Sequence, residues 1–168
     1  MKIKYIQYYV EGECEEKLIN TLKSELMLVE TGKVQKLNVI ENEISKARLI
    51  ALRPGTMVVL IFDTDTGNVE ILNKNIKKLS RCSSVEDIVL IPQVKNLEDE
   101  LVKSCNIRHV KELLGSRTNP EFKSDFIKVT NLANKLKDKS FDINLIWKGQ
   151  PSAPYQDVIN QSEKIKRI

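Results

Sequence analysis

The stretch Val58–Asn68, VVLIFDTDTGN, decides how this chain is read. Five apolar residues, Val58 to Phe62, run directly into Asp63 and Asp65. A continuous apolar run of that length fits a strand buried on both faces, as in a parallel sheet covered by helices. Open sheets of this kind bind ligands just beyond the carboxyl ends of their strands, and that is where the two aspartates stand. Like charges so close together oppose one another's ionisation unless a cation sits between them. A divalent metal is the simplest such cation.

Working outward, strands and helices alternate. On the amino-terminal side, Ile3 to Val10 reads as a first strand ending at Glu11 and Gly12. Glu13 to Leu28 follows at helical period, with Leu18, Ile19, Leu22 and Leu26 on one face and Glu13, Glu15 and Glu16 in the first turn, where carboxylates complement the helix dipole. Val34 to Ile40 reads as a short strand and Glu41 to Leu52 as a helix stopped by Pro54 and Gly55. On the carboxyl side, Gly67 and Asn68 introduce a helix over Val69 to Leu79. Asp87 to Val94 is a further buried strand with Pro92 at its end, and Asn96 caps a helix over NLEDELVKSC. This repetition is the signature of an α/β layer with a largely parallel sheet flanked by helices.

Beyond Ser104 the pattern loosens. A short helix is expected at Val110 to Leu114, a break at Pro120, a helix over Phe126 to Lys137 and a last strand over Phe141 to Trp147. The SAPYQ stretch and the basic terminus read as peripheral. The 168 residues make one domain, 1–168, with a core over about 1–115 and a helical, partly irregular extension over about 116–168.

Composition narrows the function classes. With 41% hydrophobic and 30% charged residues the chain has the make-up of an ordinary soluble protein, and no apolar run approaches the roughly 20 residues that cross a bilayer. The amino terminus reaches glutamates too early for a signal peptide and lacks a small-residue cleavage site, so a cytoplasmic protein without membrane contact is expected. Three widely spaced cysteines, Cys14, Cys82 and Cys105, exclude a disulfide framework and a cysteine zinc site and read as free thiols. A net charge of +4 does not by itself imply nucleic acid.

If the first and central strands are neighbours, Glu11 and Asp63 with Asp65 converge at one sheet edge. A few carboxylate oxygens, completed by water and phosphate oxygens, are the usual setting for magnesium or manganese in phosphoryl transfer. Gly12 is expected to turn the backbone sharply into the helix and to leave room for a phosphate. Glu15, read from its position alone, is a first-turn helix carboxylate. Glu98 and Glu100 either only start their helix or approach the site's edge. Lys148, in IWKGQP, is a candidate cation for a phosphate, set against an ordinary solvated lysine. Arg117 and Lys123 carry the same two readings as Lys148, and His109 reads as a surface or incidental residue.

VEGECEEKLI, followed at a domain-scale distance by VVLIFDTDTGN, resembles the TOPRIM module, whose pattern is a glutamate-glycine after the first strand and an Asp-x-Asp after a later one. The likeness covers roughly the first two thirds of the chain. The Glu-Gly-x-x-Glu form and the small size are most similar to stand-alone or overcoming-lysogenisation-type nucleases and RloB-like phage-defence proteins. The resemblance implies a Rossmann-like fold and a Mg2+- or Mn2+-dependent nuclease acting on DNA or RNA. It makes Glu11 an acid/base or metal-adjacent group, Asp63 and Asp65 metal ligands, and Glu15 a second-metal ligand. It also implies a role in phage defence, alongside an ATPase partner if the system has two components. Two alternatives stand beside it: an RNA-maturing TOPRIM ribonuclease, and a non-catalytic TOPRIM-like subunit that binds nucleic acid or a partner protein.

Overall fold

The structure is a computed structural model and describes residues 2–66 and 68–167; Gly67, expected to help introduce a helix, lies outside them. Four strands, β1 (Tyr5–Val10), β2 (Lys33–Lys36), β3 (Thr56–Asp63) and β4 (Val85–Gln93), form one sheet in the order β2-β1-β3-β4. All three pairings are parallel, with Val10 beside Ile61 and Asp63 beside Gln93. Helices α1 (Glu13–Ser24), α2 (Lys46–Ile50), α3 (Glu70–Ser80) and α4 (Leu97–Ser104) follow the successive strands. The expected Rossmann-like α/β layer is present, and no helix among the described residues is long and apolar enough to cross a membrane.

Every residue of β3 is buried, because the sheet is covered on both sides. Side chains alternate along a strand, so Met57, Val59 and Ile61 join one core with Leu18, Leu22 and Leu101, while Val58, Leu60 and Phe62 join another with Leu72 and Leu79. Pro92 is tolerated because β4 is an edge strand.

The order of the strands matters most for the site. From β1 the chain moves outward to β2, then returns past β1 to lay down β3 on its other side. The carboxyl ends of β1 and β3 are therefore the point where the winding reverses, which is where sheets of this class open a crevice.

Elsewhere the structure departs from the sequence reading. The second strand stops at Lys36, since Asn38 turns the chain and Val39 and Ile40 enter the core from a loop. The buried Asn75 side chain holds that loop, donating to Val39 and Asn42 carbonyls and accepting from Ile44 N–H at 2.7 Å. The helix expected over Glu41 to Leu52 shrinks to α2, which starts after its cap Ser45. Pro120 does not break a helix but sits in the first turn of α5 (Asn119–Lys128), behind the Thr118 cap, where its missing N–H costs nothing. A separate helix, α6 (Leu132–Asp138), follows, and Val110–Leu113 is a 3-10 turn.

The tail differs most. Residues 141–147 form turns, not a strand, yet Ile143, Ile146 and Trp147 are buried. Tyr155 of the SAPYQ stretch is also fully buried, its ring tilted against Phe62 and its hydroxyl donating to the Asn68 carbonyl, and Ile165 of the basic terminus lies in the core. Lys166 bridges to Val29 and Arg167 pairs with Glu30 at 3.0 Å.

Glu100 latches this tail. Its fully buried carboxylate accepts from Val94 N–H at 2.9 Å and from Trp147 N–H at 2.8 Å. Glu100→Ala strands both donors and is expected to lower the unfolding free energy by about 3 kcal/mol, since each unsatisfied buried donor costs about 1–3 kcal/mol. Urea titration reads it, and a loss under about 1 kcal/mol would contradict the latch.

Candidate active site

Glu11 and Asp63 meet at the point where the winding reverses. Glu11 Oε2 accepts the backbone N–H of Asp63 at 3.1 Å, across 52 residues of sequence. Asp63 is 8% exposed at the end of β3, held there because the five apolar residues before it fix the strand in the core. Asp65, two residues on, is exposed in the loop that follows.

Glu15 sits where its first-turn reading places it. Its carboxylate reaches back to the N–H of Gly12 at 3.2 Å, a capping interaction at the start of α1. It is also buried and lies within electrostatic range of Glu11, Glu98 and Asp63. The chain bends at Glu11 and Gly12 on its way into α1, as expected, but the backbone angles of Gly12 do not require a glycine. Its backbone is extended (φ −153°, ψ −164°), a conformation open to any residue, and an added Cβ would find only an ordinary contact with Glu15 at 3.6 Å. Its N–H, moreover, is already taken by Glu15.

Of the two later glutamates, Glu98 approaches the cluster and Glu100 faces the tail instead. Glu98 pairs with Lys123 at 3.3 Å. Lys123, on α5, is exposed, and Glu98 beside it chiefly favours its charged form. Lys148 is exposed and, among the described residues, forms no ion pair with the cluster. It follows Trp147 on a segment packed against the end of β4, where a Cβ on Gly149 would meet Val94 at 2.7 Å.

Two further residues were not singled out by the sequence reading. Gln93 is fully buried at the end of β4, and its Nε2 donates to Asp63 Oδ1 at 2.5 Å. Its amide is oriented by Trp147, whose indole Nε1 donates to Gln93 Oε1 at 3.2 Å. Asp63 is thus fixed through a buried relay, Gln93 to Trp147 to Glu100, that ties the site to α4 and to the tail.

The electrostatics follow from crowding. Burial first, then the charges of Glu11 and Glu15, push the Asp63 carboxyl up to about 9, with Asp65 adding to the effect and Gln93 opposing it. Burial also raises Glu11, partly offset by the Asp63 N–H, and Asp65 and Glu41 raise it further. Glu15 is raised by burial and by Glu11 and Glu98. Without a cation, Asp63 holds its proton at neutral pH.

The free donors at this edge are carboxylate oxygens. Glu11 commits Oε2 to Asp63 and Asp63 commits Oδ1 to Gln93, so each keeps a second carboxylate oxygen, the ligand type magnesium and manganese prefer. Among the described residues, no group of three or more His, Cys, Asp or Glu side chains already stands at metal-holding geometry. Ligation therefore requires side-chain adjustment.

Comparison with known proteins returned no match to any protein-family model, curated protein or solved structure. The TOPRIM resemblance rests on the residues quoted for it alone.

Proposed function

We propose that the protein is a metal-dependent phosphoryl-transfer enzyme, a nuclease acting on DNA or RNA, with its centre at Glu11, Asp63 and Asp65. The observation that carries this reading is the junction of Glu11 with Asp63 where the sheet's winding reverses, ringed by Glu15, Asp65 and Glu98. Such a collection of carboxylates is costly in a fold unless a cation is bound. Acids that merely solvate a loop do not share a buried hydrogen-bonded network.

Asp63 and Asp65 are assigned to hold Mg2+ or Mn2+, with Glu11 and Glu15 adjacent. When bound, such an ion neutralises charge on a phosphate and activates water. The remaining work belongs to the chain's own side chains. Gln93 orients Asp63 by holding Oδ1, leaving Oδ2 as the oxygen from which the proton departs. Glu11, on a different strand and raised by burial, suits a group that exchanges a proton with attacking water or leaving oxygen. Lys123 supplies positive charge at the rim, where a nucleic-acid phosphate approaches.

The setting implied by the TOPRIM resemblance, phage defence in the cytoplasm with an ATPase partner where one is encoded nearby, belongs to the same proposal. The test is incubation of the purified protein with plasmid, single-stranded DNA and structured RNA in manganese. Cleavage of at least one, lost in the Asp63→Asn variant, is the expected result. Manganese-dependent cleavage that survives in the variant would place the chemistry elsewhere.

A further inference from the structure

A cleft of about 1070 Å3 opens alongside β1, between that strand and the α2 segment, with Lys4, Tyr5, Tyr9, Lys33, Arg48 and Arg53 on its walls. Glu11, Asp63 and Asp65 are not among those walls. Its volume lies just above what small-ligand pockets occupy, about 300–1,000 Å3.

The chemistry of the cleft is unusually consistent. Tyr5 and Tyr9 lie on the same face of β1, four residues and therefore about 13 Å apart. Each carries an arginine over its ring: Arg53 at 5.2 Å from the Tyr5 centroid and Arg48 at 5.7 Å from that of Tyr9. Tyr9 is buried beneath its arginine, whereas Tyr5 remains 42% exposed. Arg48 is fixed further by Gln35 Oε1 and the Lys36 carbonyl, and Lys4 and Lys33 are exposed.

Charge is unbalanced in one direction. The acids on the walls, Glu30 and Asp87, are already paired with Arg167 at 3.0 Å and Lys164 at 2.8 Å. Among the described residues, no carboxylate forms an ion pair with Lys4, Lys33, Arg48 or Arg53. Four unmatched cations beside an exposed tyrosine under a guanidinium call for a ligand that is both polyanionic and flat-faced. Single-stranded nucleic acid offers phosphates and unstacked bases together, whereas a duplex keeps its base faces stacked inside.

We propose that this cleft binds single-stranded nucleic acid, its phosphates on Lys4, Lys33, Arg48 and Arg53 and a base stacked at Tyr5 and Arg53. The inference goes beyond the reading of the carboxylate site and does not depend on it.

Fluorescence anisotropy with labelled single-stranded DNA and RNA of about 12 nucleotides, in EDTA, tests the binding apart from any cleavage. At least one of the two is bound, the comparison identifying which sugar is preferred, and affinity falls with salt with a log–log slope of about −3 for four neutralised phosphates. Lys4→Ala/Lys33→Ala, a change at two exposed positions, weakens binding at least tenfold and halves the slope. Tyr5→Ala weakens it about tenfold while Tyr5→Phe does not. Because EDTA removes divalent ions, no cleavage enters the measurement, so the result stands whatever becomes of the nuclease reading. The proposal is overturned by absence of saturable binding at low salt, by affinity unmoved in the lysine double variant or in Tyr5→Ala, by duplex bound as tightly as single strand, or by a mononucleotide competing as well as the oligonucleotide.

Discussion

In metal-free buffer the Asp63→Asn protein is expected to be more stable than the wild type, by a margin that widens as pH rises, while all divalent-dependent cleavage is lost. Asp63 is nearly inaccessible, and its carboxyl is raised to about 9 by burial and by Glu11 and Glu15, against an ordinary value of 3.8 in the unfolded chain. The folded state therefore holds a proton that the unfolded state releases. A raised folded-state value makes the contribution of Asp63 to stability complete below about pH 4, and lost progressively as pH climbs toward 9. Within that window the slope is up to about 1.4 kcal/mol per pH unit, so the wild type should lose up to about 2.7 kcal/mol relative to the variant between pH 6 and pH 8. The amide keeps an oxygen for Gln93 and cannot ionise, so fold and hydrogen bond survive. Parallel urea titrations at the two pH values check the margin; an Asp63→Asn chain that unfolds at both would instead make Asp63 a structural residue.

Glu11→Gln should separate binding from turnover. Asp63 ends β3 and Asp65 stands two residues on in the loop that follows, so the pair is local in sequence and is expected to hold an ion before substrate arrives. Glu11 comes from the neighbouring strand, and its Oε2 is spent on the Asp63 N–H. A glutamine there still accepts that hydrogen bond but cannot take up a proton at the same pH. Manganese affinity is expected to stay within roughly tenfold, about 1.4 kcal/mol, while turnover drops by about 10²- to 10⁴-fold, the usual contribution of a general acid or base. Equal losses of affinity and rate would make Glu11 a principal ligand, and an unchanged rate would take it out of the mechanism.

The residues of this site divide by how far their signal travels along the chain. Asp63 and Asp65 were legible because five apolar residues run into them, and Glu11 because it ends another such strand; burial and periodicity are local properties of sequence. The juxtaposition of Glu11 and Asp63 needed one topological assumption, that β1 and β3 are neighbours, and the strand order supports it. Gln93 was hidden because it sits in VLIPQV as an ordinary polar strand end, and only its packing against Trp147, 54 residues away, shows what it does. Lys123 is one of 27 basic residues, distinguished solely by the fold bringing α5 to Glu98. Gly12 does lie at the bend into α1, but glycine permits unusual backbone angles without requiring them, and here the angle is extended. The tail was misread for a related reason. Tyr155 and Ile165 lie in segments rich in polar residues, and single apolar anchors carry no period to detect.

The central claim is that the carboxylates at Glu11, Asp63 and Asp65 form a divalent-cation site. Calorimetric titration of manganese at pH 7.5, repeated in two buffers of different ionisation enthalpy, tests it most directly. The account requires saturable binding in the wild type accompanied by proton release, because Asp63 must give up its proton to ligate, and loss of both in Asp63→Asn. Binding of equal strength in the variant, or no saturable binding to the wild type at millimolar manganese, would contradict it.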